Sequence, residues 1–204
     1  YGHFPRHYRF DNYLNRCCEN YPTHELGPIA KLLDINRGNR IMTVSSFASK
    51  SAGLSEYIKT RVDATDEMKA ANFAQGDIIT TVLTCARGET ILLRLDTTLP
   101  RSYSRDFTVR GTKGLYMQDT NSVFLDGDEE SFEPVEYYKK ALNNAVKFED
   151  EYLPGIWKNV TEETLKAGHG GMDWFAYMGF TDALINGEEM PVDVYDAATW
   201  QAVA

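Results

Sequence analysis

The chain has 204 residues, of which 43% are hydrophobic and 12% aromatic, and its formal net charge is −9 at pH 7. This length and composition predict a globular protein with a sizeable core. The negative charge argues against a protein that binds nucleic-acid phosphates, and no apolar run approaches the roughly 20 residues that span a bilayer. Cys17, Cys18 and Cys85 lack the spacing of a disulfide framework or a zinc site, so we expect no metal.

The first third of the chain predicts one helix and one strand. Residues 1–20 are polar and aromatic with no clear period. Asn20 or Thr23 is placed to cap a helix that runs to about Asp34, because apolar residues recur there at helical spacing. The segments that follow are a turn, a strand and a charged, irregular surface excursion, at 36–39, 40–48 and 56–72.

The strongest strand signal is a hairpin over 78–85 and 90–95, where β-branched runs flank a loop that contains glycine. Further strands are predicted at 107–110, 114–118 and 122–125, and helices at about 134–149, 161–167, 172–186 and 191–203. Central strands with helices before and after them predict an α+β fold, in which an open, mostly antiparallel sheet carries helices on one face. No internal repeat or low-complexity linker interrupts residues 1–204, which we interpret as a single domain.

Two polar segments in the first half of the chain are candidates for chemistry. His24 follows Tyr21-Pro22 in the first turn of the predicted helix, where the helix dipole disfavours the imidazolium form. Such a histidine is either an acid/base group or a capping and packing residue. Tyr103, between two arginines at the end of the predicted hairpin, indicates either a polar pocket edge or a solvated strand terminus. Arg9, in a similar aromatic cluster, has the same two interpretations.

The segment Gly168-His169-Gly170-Gly171-Met172-Asp173 concentrates three glycines around one histidine. Glycine permits positive φ values and close approach of the backbone to another molecule, and histidine titrates near neutral pH. The loop is therefore either a tight turn with a surface histidine or the wall of a binding site, and Asp173 suits the first turn of the helix that follows.

No dinucleotide-binding fingerprint or phosphate-binding loop is present, because Gly111–Gly114 lies between two predicted strands. No pair of carboxylates is nominated as the acid and nucleophile of an ordinary glycosidase either. We therefore expect no cofactor-binding residues within this chain.

Taken together, Asn20–Gly27, Asp34–Arg40, Pro100–Arg105, Gly111–Gly114 and Gly168–Asp173 occur in an order that closely resembles one family. The chain is similar to the C-terminal domain of glycoside hydrolase family 109, the NAD-dependent α-N-acetylgalactosaminidases, within the Gfo/Idh/MocA-type oxidoreductases. The resemblance implies the same open, mostly antiparallel sheet. It also implies that an upstream Rossmann domain, which holds NAD, is missing from this chain, so that the chain alone is inactive.

The resemblance implies a retaining glycosidase that oxidises the sugar, eliminates the aglycone, adds water and returns the hydride, with N-acetylgalactosamine-type sugars as substrates. Arg9, Tyr21, His24 and Tyr103 match the positions that line the family's sugar pocket, with His24 and Tyr103 as the catalytic candidates. His169 is expected near the same pocket. The alternatives are the C-terminal half of a sugar or inositol dehydrogenase and a non-catalytic carbohydrate-binding or oligomerisation module. A homo-oligomer formed through the open sheet face is also expected.

Overall fold

The computed structural model describes residues 8–96, 98–127 and 134–204. The chain divides into two compact units, one formed by Tyr1–Ser102 with Asp193–Ala204 and the other by Tyr103–Val192. In the described part of the chain, no helix is both long and apolar enough to cross a membrane.

The first unit combines a three-stranded sheet with five helices among its described residues. Its elements are α1 (Tyr8–Asn15), α2 (Pro22–Leu32), β1 (Ile41–Ala48), α3 (Gly53–Lys59), α4 (Asp66–Lys69), β2 (Ile78–Cys85), β3 (Thr90–Asp96) and, from the end of the chain, α10 (Val194–Gln201). The strands pair antiparallel in the order β1-β2-β3.

Helices α2 and α10 cover one face of this sheet. Leu26 and Ala30 of α2 and Trp200 of α10 form a buried cluster with alternate residues of β2 and β3, among them Leu83 and Leu93. The alternation of buried and less buried positions along β2 and β3 follows from the two-residue period of a strand. On the opposite face Phe47 and Leu92 are 68% and 67% exposed, so this face of the sheet is open.

The second unit contains the other sheet. Its elements are β4 (Thr108–Gly111), β5 (Gly114–Met117), β6 (Ser122–Leu125), α5 (Pro134–Ala141), a 3₁₀ helix (Asn144–Phe148), α6 (Glu149–Tyr152), α7 (Gly155–Lys158), α8 (Glu162–Lys166), a short 3₁₀ turn (His169–Gly171) and α9 (Met172–Asn186). Its three strands pair antiparallel in the order β4-β5-β6.

The α+β class and the antiparallel pairing are confirmed, but the strands form two three-stranded sheets instead of one. The strands of the second sheet are four residues long and pair only with their neighbours along the chain. Strands joined by short turns form hydrogen bonds with each other, and this pairing does not require a larger sheet.

Several helices lie where the sequence predicted none. The excursion at 56–72 contains the end of α3 and the whole of α4, where the Thr65 side chain accepts a hydrogen bond from the Met68 amide. Residues 1–20 contain α1, whose length of eight residues is too short for a clear period. The helix predicted at 134–149 ends at Ala141, because Asn143 takes a left-handed φ of 59°.

Candidate functional site

Tyr21 and His24 lie together at the start of α2. Tyr21 is the residue before the helix and Pro22 occupies its first position, where a fixed φ suits the helix and the missing N–H is not needed. A spacing of three residues brings the two rings to the same side of the turn. Their centroids are 4.3 Å apart with an angle of 30° between the planes, and both side chains reach solvent.

Arg9 of α1 joins this pair. Its guanidinium carbon lies 5.2 Å from the ring centroid of Tyr21 and 5.8 Å from that of Tyr8, and its Nε donates a hydrogen bond to the Tyr8 hydroxyl at 3.3 Å. These distances are typical of cation–π contacts. The first unit therefore brings together Arg9, Tyr21 and His24, three of the five predicted site residues, in a cationic and aromatic cluster. We call it the Arg9 cluster.

The buried Glu19 and the half-buried Glu25 flank the Tyr21–His24 turn, and neither was predicted as a site residue from the sequence. Glu19 is 1% exposed, and its Oε1 accepts a hydrogen bond from the Tyr21 amide at 3.3 Å. Burial raises the pKa of Glu19. Burial and the negative charge of Glu19 together raise the pKa of Glu25 to about 7. The sequence signal was the placement of one glutamate on each side of Tyr21-Pro22-Thr23-His24.

His169 belongs to the second unit, where its loop binds it to Asp173. Its Nδ1 lies 2.9 Å from both carboxylate oxygens of Asp173, in the first turn of α9. With the proton on Nδ1, this contact leaves Nε2 as an acceptor, and the His169 side chain is 73% exposed. The spacing of four residues between the histidine and the aspartate was the signal for this pair.

The glycines of the loop make this contact possible. His169 itself takes a left-handed φ of 43°, and Gly168 and Gly171 have φ values of 88° and 93°. A Cβ at Gly168 would lie 2.3 Å from Oδ2 of Asp173. Glycine at this position is therefore needed both for its φ and for the approach of the carboxylate.

Tyr103 is the first residue of the second unit and is 81% exposed. Its hydroxyl accepts a hydrogen bond from Nε of Arg105 at 3.3 Å. Arg101, by contrast, donates to the backbone carbonyl of Asp96 at the end of β3. The two arginines therefore differ in role: Arg105 forms a hydrogen bond with Tyr103, whereas Arg101 binds the end of β3.

The Gly111–Gly114 segment does not fit a dinucleotide phosphate, and the described residues contain no cluster of metal ligands. Gly111 and Gly114 pair with each other in the turn of an antiparallel hairpin, which has no helix N-terminus to receive phosphates. Within residues 8–96, 98–127 and 134–204, no three histidine, cysteine or acidic side chains are grouped as metal ligands.

Comparison with known proteins identifies the family. The family model described as "Glycosyl hydrolase 109, C-terminal domain" matches residues 2–204. The chain is 42% identical over 197 residues to a glycosyl hydrolase family 109 protein of Stenotrophomonas maltophilia, covering 96% of this chain and 42% of the relative.

Two further relatives are named alpha-N-acetylgalactosaminidase. The protein of Tannerella forsythia is 36% identical over 200 residues, which cover 97% of this chain and 40% of the relative. That of Shewanella oneidensis is 34% identical over 184 residues, which cover 90% and 39%. The chain thus spans about two fifths of the length of these curated relatives. It belongs to glycosyl hydrolase family 109, whose C-terminal domain it matches over nearly its whole length.

Proposed function

We propose that the protein containing this chain is a retaining glycosidase that removes α-linked N-acetylgalactosamine, and that this chain binds the sugar. The observation that carries the proposal is the Arg9 cluster, in which Arg9 of α1 meets two further predicted sugar-pocket residues, Tyr21 and His24, at the start of α2. Two relatives named alpha-N-acetylgalactosaminidase support the choice of substrate. Aromatic rings and a charged donor in one place suit a sugar, which presents both apolar C–H faces and hydroxyl groups.

We propose NAD as the cofactor, held mainly by residues outside this chain, because the sequence lacks a dinucleotide-binding fingerprint and Gly111–Gly114 forms a hairpin turn. When bound, NAD supplies the transient removal and return of a hydride at the sugar. This chemistry accounts for a glycosidase without the usual acid and nucleophile carboxylates.

Within the chain, His24 and Tyr103 are proposed to transfer protons at the sugar hydroxyls. His24 lies exposed in the first turn of α2, and a neutral imidazole in this place can accept a proton from a hydroxyl group. The phenol of Tyr103 accepts a hydrogen bond from Arg105, which orients the hydroxyl group, and a phenol can donate its own hydrogen to a sugar oxygen.

Arg9 and Tyr21 are proposed to bind the sugar instead of transferring protons. The guanidinium of Arg9 lies over the ring of Tyr21, and a planar fork of N–H donors suits the hydroxyl oxygens of a sugar. His169 is proposed as a further binding residue, since Asp173 holds its Nδ1 and leaves Nε2 available to a hydroxyl group.

The test is the release of p-nitrophenol from its α-N-acetylgalactosaminide by the full-length protein, with absorbance of NADH followed in the same sample. We expect aglycone release without net NADH. Stoichiometric NADH without aglycone release would instead show a dehydrogenase, and sugar binding with neither product would show a non-catalytic module.

A further inference from the structure

Glu19 and Glu25 have no role in the mechanism proposed above, although they flank the turn that carries Tyr21 and His24. Oε2 of Glu19 is buried and has no hydrogen-bond partner, while its Oε1 accepts from the Tyr21 amide. Oε2 of Glu25 is buried without a partner as well. Buried polar atoms without a hydrogen bond are uncommon in folded proteins, so these two carboxyl oxygens require a physical explanation.

Glu19 is fixed in this position by contacts distant in sequence. The buried side chain of Gln75 bonds the backbone of Cys18 twice, accepting from its N–H at 3.2 Å and donating to its carbonyl at 3.1 Å. The amide of Gly76 donates to Sγ of Cys17 at 3.4 Å. The segment before α2 is thus tied on one side to residues 75–76, and on the other the Glu19 carboxylate is bonded to Tyr21.

The surrounding elements present several charged and titratable groups. They are Arg9 of α1, Cys17 and Cys18 before α2, Tyr21 and His24 at its start, Cys85 of β2, and Asp193 and Asp196 at the start of α10. Arg9 is stacked over Tyr21, and Asp196 is bound bidentately by Arg37. The carboxyl groups of Glu19 and Glu25 act on each other, since the charge of Glu19 raises the pKa of Glu25.

We propose that Glu19 and Glu25, each with one buried carboxyl oxygen, form a carboxyl pair that retains one proton, and that this pair positions the start of α2, which carries Tyr21 and His24. The retained proton binds one carboxyl group and removes its charge, so that only one buried negative charge remains beside the turn. Loss of this proton leaves two buried negative charges on either side of the turn, which repel each other and lack solvation. The glutamates touch no reacting atom, so they are positioning residues.

The pair is tested first by stability, which needs no activity. The urea midpoint of the full-length protein is measured from pH 5 to pH 8 for the wild type, Glu25→Gln and Glu19→Gln. A folded-state pKa above the unfolded value means that the pair's stabilisation is complete below the unfolded pKa and is lost as pH rises towards about 7. We expect the wild-type midpoint to fall relative to that of Glu25→Gln over this range.

The matched control is Glu67→Gln, which makes the same change at an exposed glutamate in the first turn of α4. Its midpoint should run parallel to that of the wild type. If the urea midpoints of the wild type and Glu25→Gln differ by the same amount from pH 5 to pH 8, the proposed carboxyl pair is refuted. If the variants fail to fold, infrared absorption of a neutral carboxyl group in the wild type at pH 6, lost by pH 8.5, decides the question, and its absence refutes the proposal.

The positioning role rests on the proposed function and is tested by the pH profile. We expect wild-type kcat to fall about tenfold from its plateau to one unit above the pair's pKa, while Glu25→Gln stays near its plateau because its amide cannot ionise. An unchanged alkaline limb in Glu25→Gln would overturn this role. If the full-length protein releases no aglycone at all, the proposed function fails, and the urea series still decides whether the pair exists.

Discussion

His24 lies 4.3 Å, ring to ring, from Tyr21, and Tyr21 in turn lies under the guanidinium of Arg9. These contacts restrict the imidazole to one side of the first turn of α2. A side chain held in this way loses little rotational freedom when a substrate hydroxyl binds, which favours a role in proton transfer.

We predict that His24→Ala lowers kcat of the full-length protein by about 10² to 10⁴-fold, the range that general acid–base catalysis supplies. Lys31→Ala, at an exposed position in the last turn of the same helix, serves as the control and should keep wild-type turnover. Steady-state release of p-nitrophenol measures both. A turnover for His24→Ala within a factor of three of wild type would remove this residue from the mechanism.

The sequence was sufficient to nominate His24, because its place beside Tyr21-Pro22 in a helix start could be interpreted from residue types and from the family resemblance. It was not sufficient for Glu19. Glutamates are rarely buried, and Glu19 is buried because its segment is tied to Gln75 and Gly76, more than fifty residues further along the chain. Its partnership with Glu25 became visible only with the fold.

At the scale of elements, the loop before α9 shows how backbone conformation and side-chain contact depend on each other. Gly171 N–H donates to the carbonyl of Gly168 at 2.8 Å and closes the 3₁₀ turn that contains His169. The 3₁₀ turn places His169 next to the first turn of α9, where the carboxylate of Asp173 forms a hydrogen bond with Nδ1 of the imidazole. A change in the turn should therefore move the imidazole.

We predict that Gly168→Ala breaks the contact between His169 and Asp173, because the added Cβ would meet the carboxylate of Asp173. Gly170→Ala is the matched control: its φ of 67° is also left-handed, but nothing lies within 4 Å of its added Cβ. Both variants should lose about 1 kcal/mol of unfolding free energy from backbone strain. Only Gly168→Ala should change the ¹⁵N chemical shifts of the His169 ring, and equal shifts in both variants would contradict this account.

Elements with a strong local pattern were predicted well. The β2–β3 hairpin and α9 lie where β-branched runs and a helix-favouring composition predicted them. The division of the strands into two sheets was not predictable in this way. Strand lengths and turn positions predict which neighbouring strands pair. They do not predict whether one hairpin pairs with another. The helices α3 and α4 were missed because their few apolar residues, such as Leu54 and Ile58, stand within a charged segment.

At the scale of the molecule, the segment Asp193–Ala204, which contains α10, completes the core of the first unit. Arg37 donates two hydrogen bonds of 2.8 Å to the carboxylate of Asp196, which also forms a capping box with Asp193 at the start of α10. The hydrogen bonds from Arg37 lower the pKa of Asp196 to about 2.

We predict that Asp196→Ala lowers the unfolding free energy by about 2 kcal/mol, from a lost helix cap and lost charged hydrogen bonds. Asp63→Ala, which removes an exposed partner of Arg61, should cost no more than about 0.5 kcal/mol. Because the folded-state pKa of Asp196 is lowered, its contribution is present above pH 4 and is lost as pH falls towards about 2. Urea unfolding at pH 7 and at pH 3 measures both effects, and equal losses in the two variants would contradict the prediction.

We expect the open face of the first sheet to be the interface of a homo-oligomer, because exposed apolar residues on a sheet are commonly covered by a partner. We predict that Leu92→Lys shifts the protein to a smaller species in light scattering without changing its circular dichroism. Val62→Lys, at a site outside the strands that is 99% exposed, is the control for an added charge. A wild-type protein that is already monomeric at micromolar concentration would refute the expectation.

The return of α10 to the first unit has a consequence for synthesis on the ribosome. The residues up to Ser102 contain the sheet and α2, but Trp200 and Val203 complete their core, and the second unit, Tyr103–Val192, is translated in between. At ordinary elongation rates this interval lasts roughly 5 to 18 s. During that time Leu26 and Leu83 lack their final cover, so the nascent chain presents an apolar surface to which chaperones can bind until α10 emerges.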